Sequence, residues 1–159
     1  MKIYISKSYQ APQGIFEELL RKLTQEGHYV TYHNPMHTYS PNKQLKADLV
    51  LFIPPELGVN NYSHLVGKGQ YGEATLSLRN NIPSYIITKL GMGGTLYFRE
   101  IKQVKPHNTD NWKDKFGWVF SEGNLNSLFG MLNFNNPFPV KELKKRLTSL
   151  KKRRFFYLR

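Results

Sequence analysis

A glycine-rich segment in the first half of the chain, Gly67-Lys68-Gly69-Gln70-Tyr71-Gly72-Glu73, carries the residues whose types and spacing could do chemistry. Glycines let a backbone approach a ligand closely, and the N-terminus of a helix presents unpaired N–H groups to an anion. The segment therefore predicts a pocket for a phosphate or a ribose. It lacks the Lys-Ser/Thr pair of a Walker loop and the full GxGxxG dinucleotide fingerprint. A loop whose glycines only turn the chain into a helix remains an alternative.

Glu73 lies just behind the glycines, in the first turns of the helix that the sequence predicts there. A carboxylate in this position gains from the helix dipole, which would give it a purely structural role. At the ligand edge of a sheet, the same carboxylate can attack a sugar carbon as a nucleophile or activate a water. The sequence leaves both interpretations open.

Other reaction classes are excluded by composition. The chain has no cysteine, which rules out disulfides, thiolate metal sites, cysteine nucleophiles and redox motifs. His33 and His37 are four residues apart, but Pro35 between them argues against a helix that would align them on a metal. No GxSxG serine motif is present. We expect neither a metal site nor a cofactor.

The elements that must position Glu73 alternate between strand and helix patterns. The predicted strands are residues 2–6, 29–33, 49–53 and 84–88, and the predicted helices run from Pro12 to the stop at Gly27 and over 70–79. Strand 49–53 is apolar throughout, as expected for a parallel strand covered on both faces. Residues 56–68 lack periodicity and predict a long loop. This order predicts an α/β fold with a small doubly wound, Rossmann-like parallel sheet.

The second half of the chain is less regular. A glycine-rich break at 91–94 precedes predicted strands at 95–104 and 117–120, a short helix at 124–132 and a helix from Pro139 to about Arg153. We therefore predict three parts. Residues 1–90 form a nucleoside- or nucleotide-binding α/β domain, 91–138 form accessory strands and a short helix packed on it, and 139–159 form a basic amphipathic C-terminal helix and tail.

Several stretches within roughly residues 2–88 resemble the nucleoside 2-deoxyribosyltransferase family. They are the strand Asp48-Leu49-Val50-Leu51-Phe52-Ile53-Pro54, the glycine segment, Glu73-Ala74, and Asn81-Ile82-Pro83 before an apolar strand. That group includes deoxynucleotide N-hydrolases, and its arrangement is similar to that of Toll/interleukin-receptor-type NAD-cleaving domains. The resemblance implies N-glycosidic bond cleavage or deoxyribosyl transfer on a nucleoside or nucleotide, with Glu73 attacking the anomeric carbon. It also places the end of the first strand near the base.

The residues expected to bind substrate follow the strands, because ligands of open parallel sheets bind outside the carboxyl ends of the strands. They are Ser6, Tyr9, Glu56, Gly67, Gly69 and Tyr71. Ser6 and Tyr9 would line the base side, and Gly67, Gly69 and Tyr71 would shape the sugar or phosphate pocket. Glu56 would supply a second carboxylate, unless it is simply an exposed loop residue. A non-catalytic binding protein that uses the same pocket is the main alternative.

Positive charge is concentrated at the C-terminus. The net charge is +12, and residues 141–159 contain nine Lys or Arg and one Glu, which leaves +4 for the first 140 residues. Lys and Arg neutralise phosphates and the aromatics of 155–157 can stack on bases, which predicts nucleic-acid binding. The residues concerned are Lys144, Lys145, Arg146, Lys151, Lys152, Arg153 and Arg154. A helix packed with its basic face in solvent and an anionic membrane or protein partner are the alternatives.

The expected setting follows from what the sequence lacks. No stretch approaches the ~20 apolar residues that span a bilayer, and the first residues do not form a signal peptide, so we expect a cytoplasmic protein without a transmembrane segment. The expected partner is a nucleoside or nucleotide, with nucleic acid as a second partner. A homo-oligomer and a structural or assembly role remain open.

Overall fold

A mixed α/β structure is built around one seven-stranded sheet in the computed structural model of the chain, which describes residues 1–33, 41–57, 62–107 and 117–132. The strands are β1 (Lys2–Lys7), β2 (Tyr29–Tyr32), β3 (Leu49–Ile53), β4 (Ser63–Val66), β5 (Ser84–Leu90), β6 (Leu96–Pro106) and β7 (Gly117–Ser127). The helices are α1 (Gln13–Gln25), α2 (Asn42–Leu45), α3 (Lys68–Arg79) and α4 (Leu128–Leu132), with a 3₁₀ turn at Met92–Gly94. The α/β class predicted from the sequence is confirmed.

The sheet has a parallel half and an antiparallel half. Its strand order is β2-β1-β3-β5-β6-β7-β4. The first four strands in this order are parallel, and β6, β7 and β4 each run antiparallel to the neighbour before them. The strands after residue 90 are thus hydrogen-bonded members of the same sheet, and the sheet is wider and more mixed than the small parallel one predicted.

Apolar side chains cover both faces of the parallel half. All five residues of β3 are buried, as the continuous apolar run predicted. Alternate residues of a strand point to opposite faces, so Leu51 packs on the α1 face with Leu19, while Phe52 packs on the other face with Ala74 of α3. α1 forms because its apolar residues recur on one helix face, and that face is the one it buries.

The connections leave β1 and β3 in opposite directions. The chain passes from β1 through α1 to the edge strand β2, whereas from β3 it passes to β4 at the far edge and returns through α3, on the opposite face of the sheet, to β5. Adjacent strands whose connections diverge leave a crevice at their carboxyl ends, where ligands of open α/β sheets bind. In this chain the connections diverge at the ends of β1 and β3, which is where a ligand crevice is expected.

The predicted loop over residues 56–68 is wrong in part. Residues Ser63–Val66 form β4, which pairs with the first residues of β7 at the far edge of the sheet. The segment is short and polar and has no periodic pattern, because its strand conformation depends on pairing with a partner more than fifty residues away. The four-residue helix α2 was also not predicted.

The predicted helix over residues 124–132 is correct only at its end. β7 continues to Ser127 because Asn126 pairs with Phe98 of β6, and the helix occupies Leu128–Leu132. The predicted C-terminal helix from Pro139 lies outside the described residues. Among the helices that the structure describes, none is long and apolar enough to cross a membrane.

Candidate active site

The first turn of α3 is attached to the carboxyl ends of β1 and β3 by one side chain. The amide nitrogen of Gln70 donates hydrogen bonds to the backbone oxygen of Ile53 at 2.8 Å and to that of Ser6 at 3.1 Å. Gln70 is only 4% exposed. Its amide therefore connects the carboxyl ends of two neighbouring strands, and it holds the following residues of α3 next to these strand ends.

These two hydrogen bonds determine which way the Gln70 amide points. The opposite orientation would place its oxygen against two carbonyl oxygens, which cannot donate a hydrogen bond. The carbonyl oxygen Oε1 consequently faces away from both strands. It is buried and has no hydrogen-bond partner among the residues that the structure describes. A buried acceptor without a partner is unfavourable, and a ligand that donates a hydrogen bond would relieve this.

Glu73 lies three residues after Gln70 on the same face of α3 and is 9% exposed. One carboxyl oxygen, Oε1, accepts a hydrogen bond of 3.2 Å from the hydroxyl of Ser6. The other, Oε2, is buried and has no hydrogen-bond partner in the described part of the chain. The hydroxyl of Ser6 also lies 3.5 Å from the Gln70 amide nitrogen, so the three side chains form one cluster.

Burial raises the pKa of the Glu73 carboxyl from its ordinary 4.5 to about 7. The cause is desolvation, since a charged carboxylate is poorly stabilised away from water. The nearby hydroxyl of Tyr4 and the hydrogen bond from the hydroxyl of Ser6 stabilise the charged form and offset part of this effect. A carboxyl with this pKa exchanges its proton close to neutral pH, which is what acid, base and nucleophilic catalysis require.

A second buried amide binds the backbone of Glu73. The amide nitrogen of Gln44, in α2, donates to the backbone oxygen of Glu73 at 2.6 Å and to the hydroxyl of Ser77 at 2.7 Å. Both Gln44 and Ser77 are completely buried. α2 therefore fixes the position of α3 at the residue that carries the carboxyl, although the sequence pattern did not reveal α2.

Thr88 adds a third buried polar group at the carboxyl ends of the strands. It lies near the end of β5, which pairs with β3, and its hydroxyl has no hydrogen-bond partner among the described residues. The pairing of β5 with β6 is irregular between Ile87 and Lys89, so Thr88 occupies a bulge. Bulges often redirect a side chain next to a binding site.

The structure brings two of the predicted site residues together, namely Ser6 and Glu73. Gly67 is the residue before α3 and has an extended backbone, and Gly69 is exposed in the first turn. A Cβ at Gly67 or Gly69 would meet no described atom within 4 Å. The described contacts therefore do not themselves require glycine at these two positions.

The other predicted site residues lie elsewhere. Tyr71 is half-buried, and its ring packs so closely on Gly117 of β7 that a Cβ there would overlap it. Tyr9 is 72% exposed after β1, and Glu56 is exposed after β3. The basic residues predicted to bind nucleic acid, from Lys144 to Arg154, lie outside the described residues.

Three contributors to the site were not singled out from the sequence. They are Gln70, Tyr4 and Gln44. Gln70 shares a helix face with Glu73 by its spacing, and Tyr4 shares a strand face with Ser6, so the spacing of both carries a signal. Gln44 lies in a segment without a periodic pattern, and its role depends on a long-range contact.

The site contains carboxyl, amide and hydroxyl groups, and the described residues include no cluster of three or more His, Asp or Glu side chains that could hold a metal ion. Comparison with protein-family models, curated protein sequences and solved structures found no match to this chain.

Proposed function

We propose that this chain cleaves the N-glycosidic bond of a nucleoside or nucleotide, or transfers its sugar, with Glu73 as the nucleophile. The observation that carries the proposal is the buried Glu73 carboxyl, which has one oxygen held by Ser6 and the other without a described partner, in the crevice between β1 and β3. The family resemblance of residues 2–88 supports the same chemistry. The parallel half of the sheet would then be a doubly wound, Rossmann-like unit.

In this reaction Oε2 of ionised Glu73 attacks the anomeric carbon from the side opposite the base. The bond from that carbon to the base nitrogen breaks, its electron pair stays on the nitrogen, and the base takes a proton from water. Water then attacks the same carbon and loses a proton to solvent, while the bond from that carbon to Oε2 breaks and its electron pair restores the carboxylate. In the transfer reaction a nitrogen of a second base attacks in place of water. Because Oε2 is buried, substrate has to displace the side chains around it on binding.

The raised pKa supports this role for Glu73. A carboxylate whose pKa is about 7 is a stronger base, and hence a better nucleophile once ionised, than one that titrates at 4.5. At neutral pH about half of the molecules would carry the charged form. The hydrogen bond from Ser6 would hold the carboxylate in one orientation, and the Gln44 contact with the Glu73 backbone would keep the helix in place.

The test is base release from a panel of ribonucleosides, 2′-deoxyribonucleosides, their 5′-monophosphates and NAD. Glu73→Gln, which keeps the shape of the side chain, should abolish turnover and leave folding intact. Glu17→Gln is the matched control, because Glu17 is exposed on α1, on the opposite face of the sheet. A glycosyl ester on Glu73 should be detectable by mass spectrometry after rapid quenching. Turnover that survives Glu73→Gln, or its absence from the wild type on every compound, would refute the proposal.

Nucleic-acid binding is a second candidate, and the observation that favours it is the net charge of +8 over residues 141–159. Phosphate neutralisation by Lys and Arg weakens steeply as salt rises. DNA and RNA should therefore bind the full-length chain more tightly at 50 mM than at 200 mM salt, and a truncation before Pro139 should lose most of this binding. Binding that is independent of salt or of the tail would contradict this function. A cytoplasmic location and a homo-oligomer stay predictions.

A further inference from the structure

The carbonyl oxygen of Gln70 is a buried acceptor that the chemistry proposed for Glu73 does not use. Its orientation is determined, because the amide nitrogen of the same side chain is held by the backbone oxygens of Ser6 and Ile53. No described residue donates to it. The ionised Glu73 that attacks the sugar has no proton to give, and a hydroxyl of the bound sugar can supply the hydrogen bond to Gln70 in the reactive state.

The position of this acceptor relative to Glu73 restricts which ligand atom it can reach. The two side chains lie three residues apart on one helix face, where Cβ atoms are about 5–6 Å apart. Oε1 of Glu73 and the amide nitrogen of Gln70 also approach the same hydroxyl, that of Ser6, at 3.2 Å and 3.5 Å. The two unpartnered oxygens, Oε1 of Gln70 and Oε2 of Glu73, belong to these same end groups. A sugar whose anomeric carbon meets Glu73 can therefore present a substituent of its next carbon to Gln70.

Stereochemistry selects the donor on that carbon. In a β-N-ribosyl compound the base lies on one face of the sugar ring, and in-line attack on the anomeric carbon comes from the other face. The 2′-hydroxyl of ribose projects from this second face, towards the attacking carboxylate. A 2′-deoxyribosyl compound has only hydrogen there and would leave the Gln70 acceptor buried and empty, which lowers affinity.

We propose that Gln70 makes the site selective for ribosyl over 2′-deoxyribosyl substrates, by accepting a hydrogen bond from the hydroxyl on the carbon next to the anomeric one. This proposal rests on the N-glycoside chemistry of Glu73 and specifies its substrate class. It differs from the deoxyribosyl substrate that the family resemblance implies. Gln70 is thereby a specificity-determining residue, and Glu73 remains the reacting group.

The experiment compares inosine with 2′-deoxyinosine, and adenosine with 2′-deoxyadenosine, on the full-length protein. The measured quantity, for each variant, is the ratio of kcat/KM for the ribonucleoside to kcat/KM for its 2′-deoxy counterpart. Because the two compounds differ in intrinsic reactivity, the change in this ratio between the wild type and a variant is what reports on the side chain. Gln70→Met keeps the length of the side chain and removes the acceptor together with the amide hydrogen bonds to Ser6 and Ile53. A shift of α3 affects the ribosyl and deoxyribosyl compounds alike, so loss of the acceptor is what should lower this ratio, by about 10-fold or more. Gln103→Met, at an exposed position of β6, should leave it unchanged.

Substrate analogues keep the test decisive if Gln70→Met fails to fold. The arabinosyl nucleoside carries its 2′-hydroxyl on the base side of the ring, and the 2′-O-methyl ribonucleoside has an oxygen but no donor. Calorimetry uses Glu73→Gln with Gln70 unchanged, so that turnover is prevented, and both analogues should bind this protein at least about 10-fold more weakly than the ribonucleoside.

The outcomes separate the two proposals. Turnover that requires Glu73 but does not favour the ribosyl compound, with a ratio unaffected by Gln70→Met, overturns the role of Gln70 and leaves the glycosidic chemistry standing. Ribonucleoside binding that depends on Gln70 without any turnover by the wild type overturns the glycosidic chemistry and supports the role of Gln70 as a hydroxyl acceptor. Equal binding of ribosyl, arabinosyl and 2′-O-methyl compounds overturns the proposal about Gln70.

Discussion

Replacing Glu73 with glutamine should change how the stability of the fold depends on pH. The pKa of this carboxyl is about 7 in the folded protein, against an ordinary value of 4.5 that also represents the unfolded chain. Below 4.5 the group is protonated in both states and burial of the neutral acid carries no charge penalty. As pH rises from 4.5 to 7, the unfolded chain loses the proton and the folded one retains it, so stability falls.

The size of this loss of stability follows from the folded and unfolded pKa values of Glu73. Each pH unit between them corresponds to about 1.36 kcal/mol, so the interval from 4.5 to about 7 corresponds to about 3 kcal/mol of lost unfolding free energy above pH 8. Glutamine is neutral at every pH, so a protein with glutamine at position 73 does not lose this unfolding free energy as pH rises. The unfolding free energy of Glu73→Gln relative to the wild type should therefore rise by up to about 3 kcal/mol between pH 4.5 and pH 8.

Urea denaturation from pH 4.5 to 8.5 measures this directly, because urea is uncharged and does not screen electrostatic effects. The relevant quantity is the difference in unfolding free energy between Glu73→Gln and the wild type at each pH, since other groups titrate equally in both. Glu17→Gln, at an exposed site on α1, should show no comparable rise. Parallel curves for Glu73→Gln and the wild type would show that Glu73 has an ordinary pKa and would refute the account of its burial.

Two further predictions concern the surroundings of Glu73. Ser6→Ala removes a hydrogen bond that lowers the Glu73 pKa, so the acidic limb of the pH profile of kcat/KM should move to higher pH; an unmoved limb would contradict that contact. Gly117→Ala puts a methyl group into the ring of Tyr71 and should lower the unfolding free energy by about 1–3 kcal/mol in thermal or urea denaturation. Gly72→Ala, where a Cβ meets nothing within 4 Å, is the control and should be neutral or stabilising.

The chemistry of the site depends on the density of unpaired polar atoms in a small buried region. The Gln70 carbonyl and one Glu73 oxygen, three residues apart on one face of α3, lack partners in the described residues. Buried polar groups in folded proteins are nearly always hydrogen-bonded, so such groups within one crevice indicate a place where binding takes precedence over stability. The position of these groups is consistent with a binding role, because they lie where the connections of β1 and β3 diverge and ligands of open α/β sheets bind.

Local patterns in the sequence determined the parallel half of the fold. The apolar run of β3 and the one-sided apolar face of α1 are properties of consecutive residues, and they predicted both elements nearly to their ends. The glycine segment before Glu73 likewise predicted that α3 begins there. These predictions succeeded because strand and helix periodicity depend on consecutive residues and not on a partner that is distant in the sequence.

Only the tertiary structure decided which side chains meet Glu73 and how they affect it. The strand β4 exists because it pairs with β7, and the Gln44 contact exists because α2 packs on α3. The sequence predicted Gly67 and Gly69 as binding residues, yet the amide of Gln70 is the group that connects α3 to both strands. The raised pKa of Glu73 arises from burial, which depends on the whole assembly of sheet and helices and cannot be read from neighbouring residues.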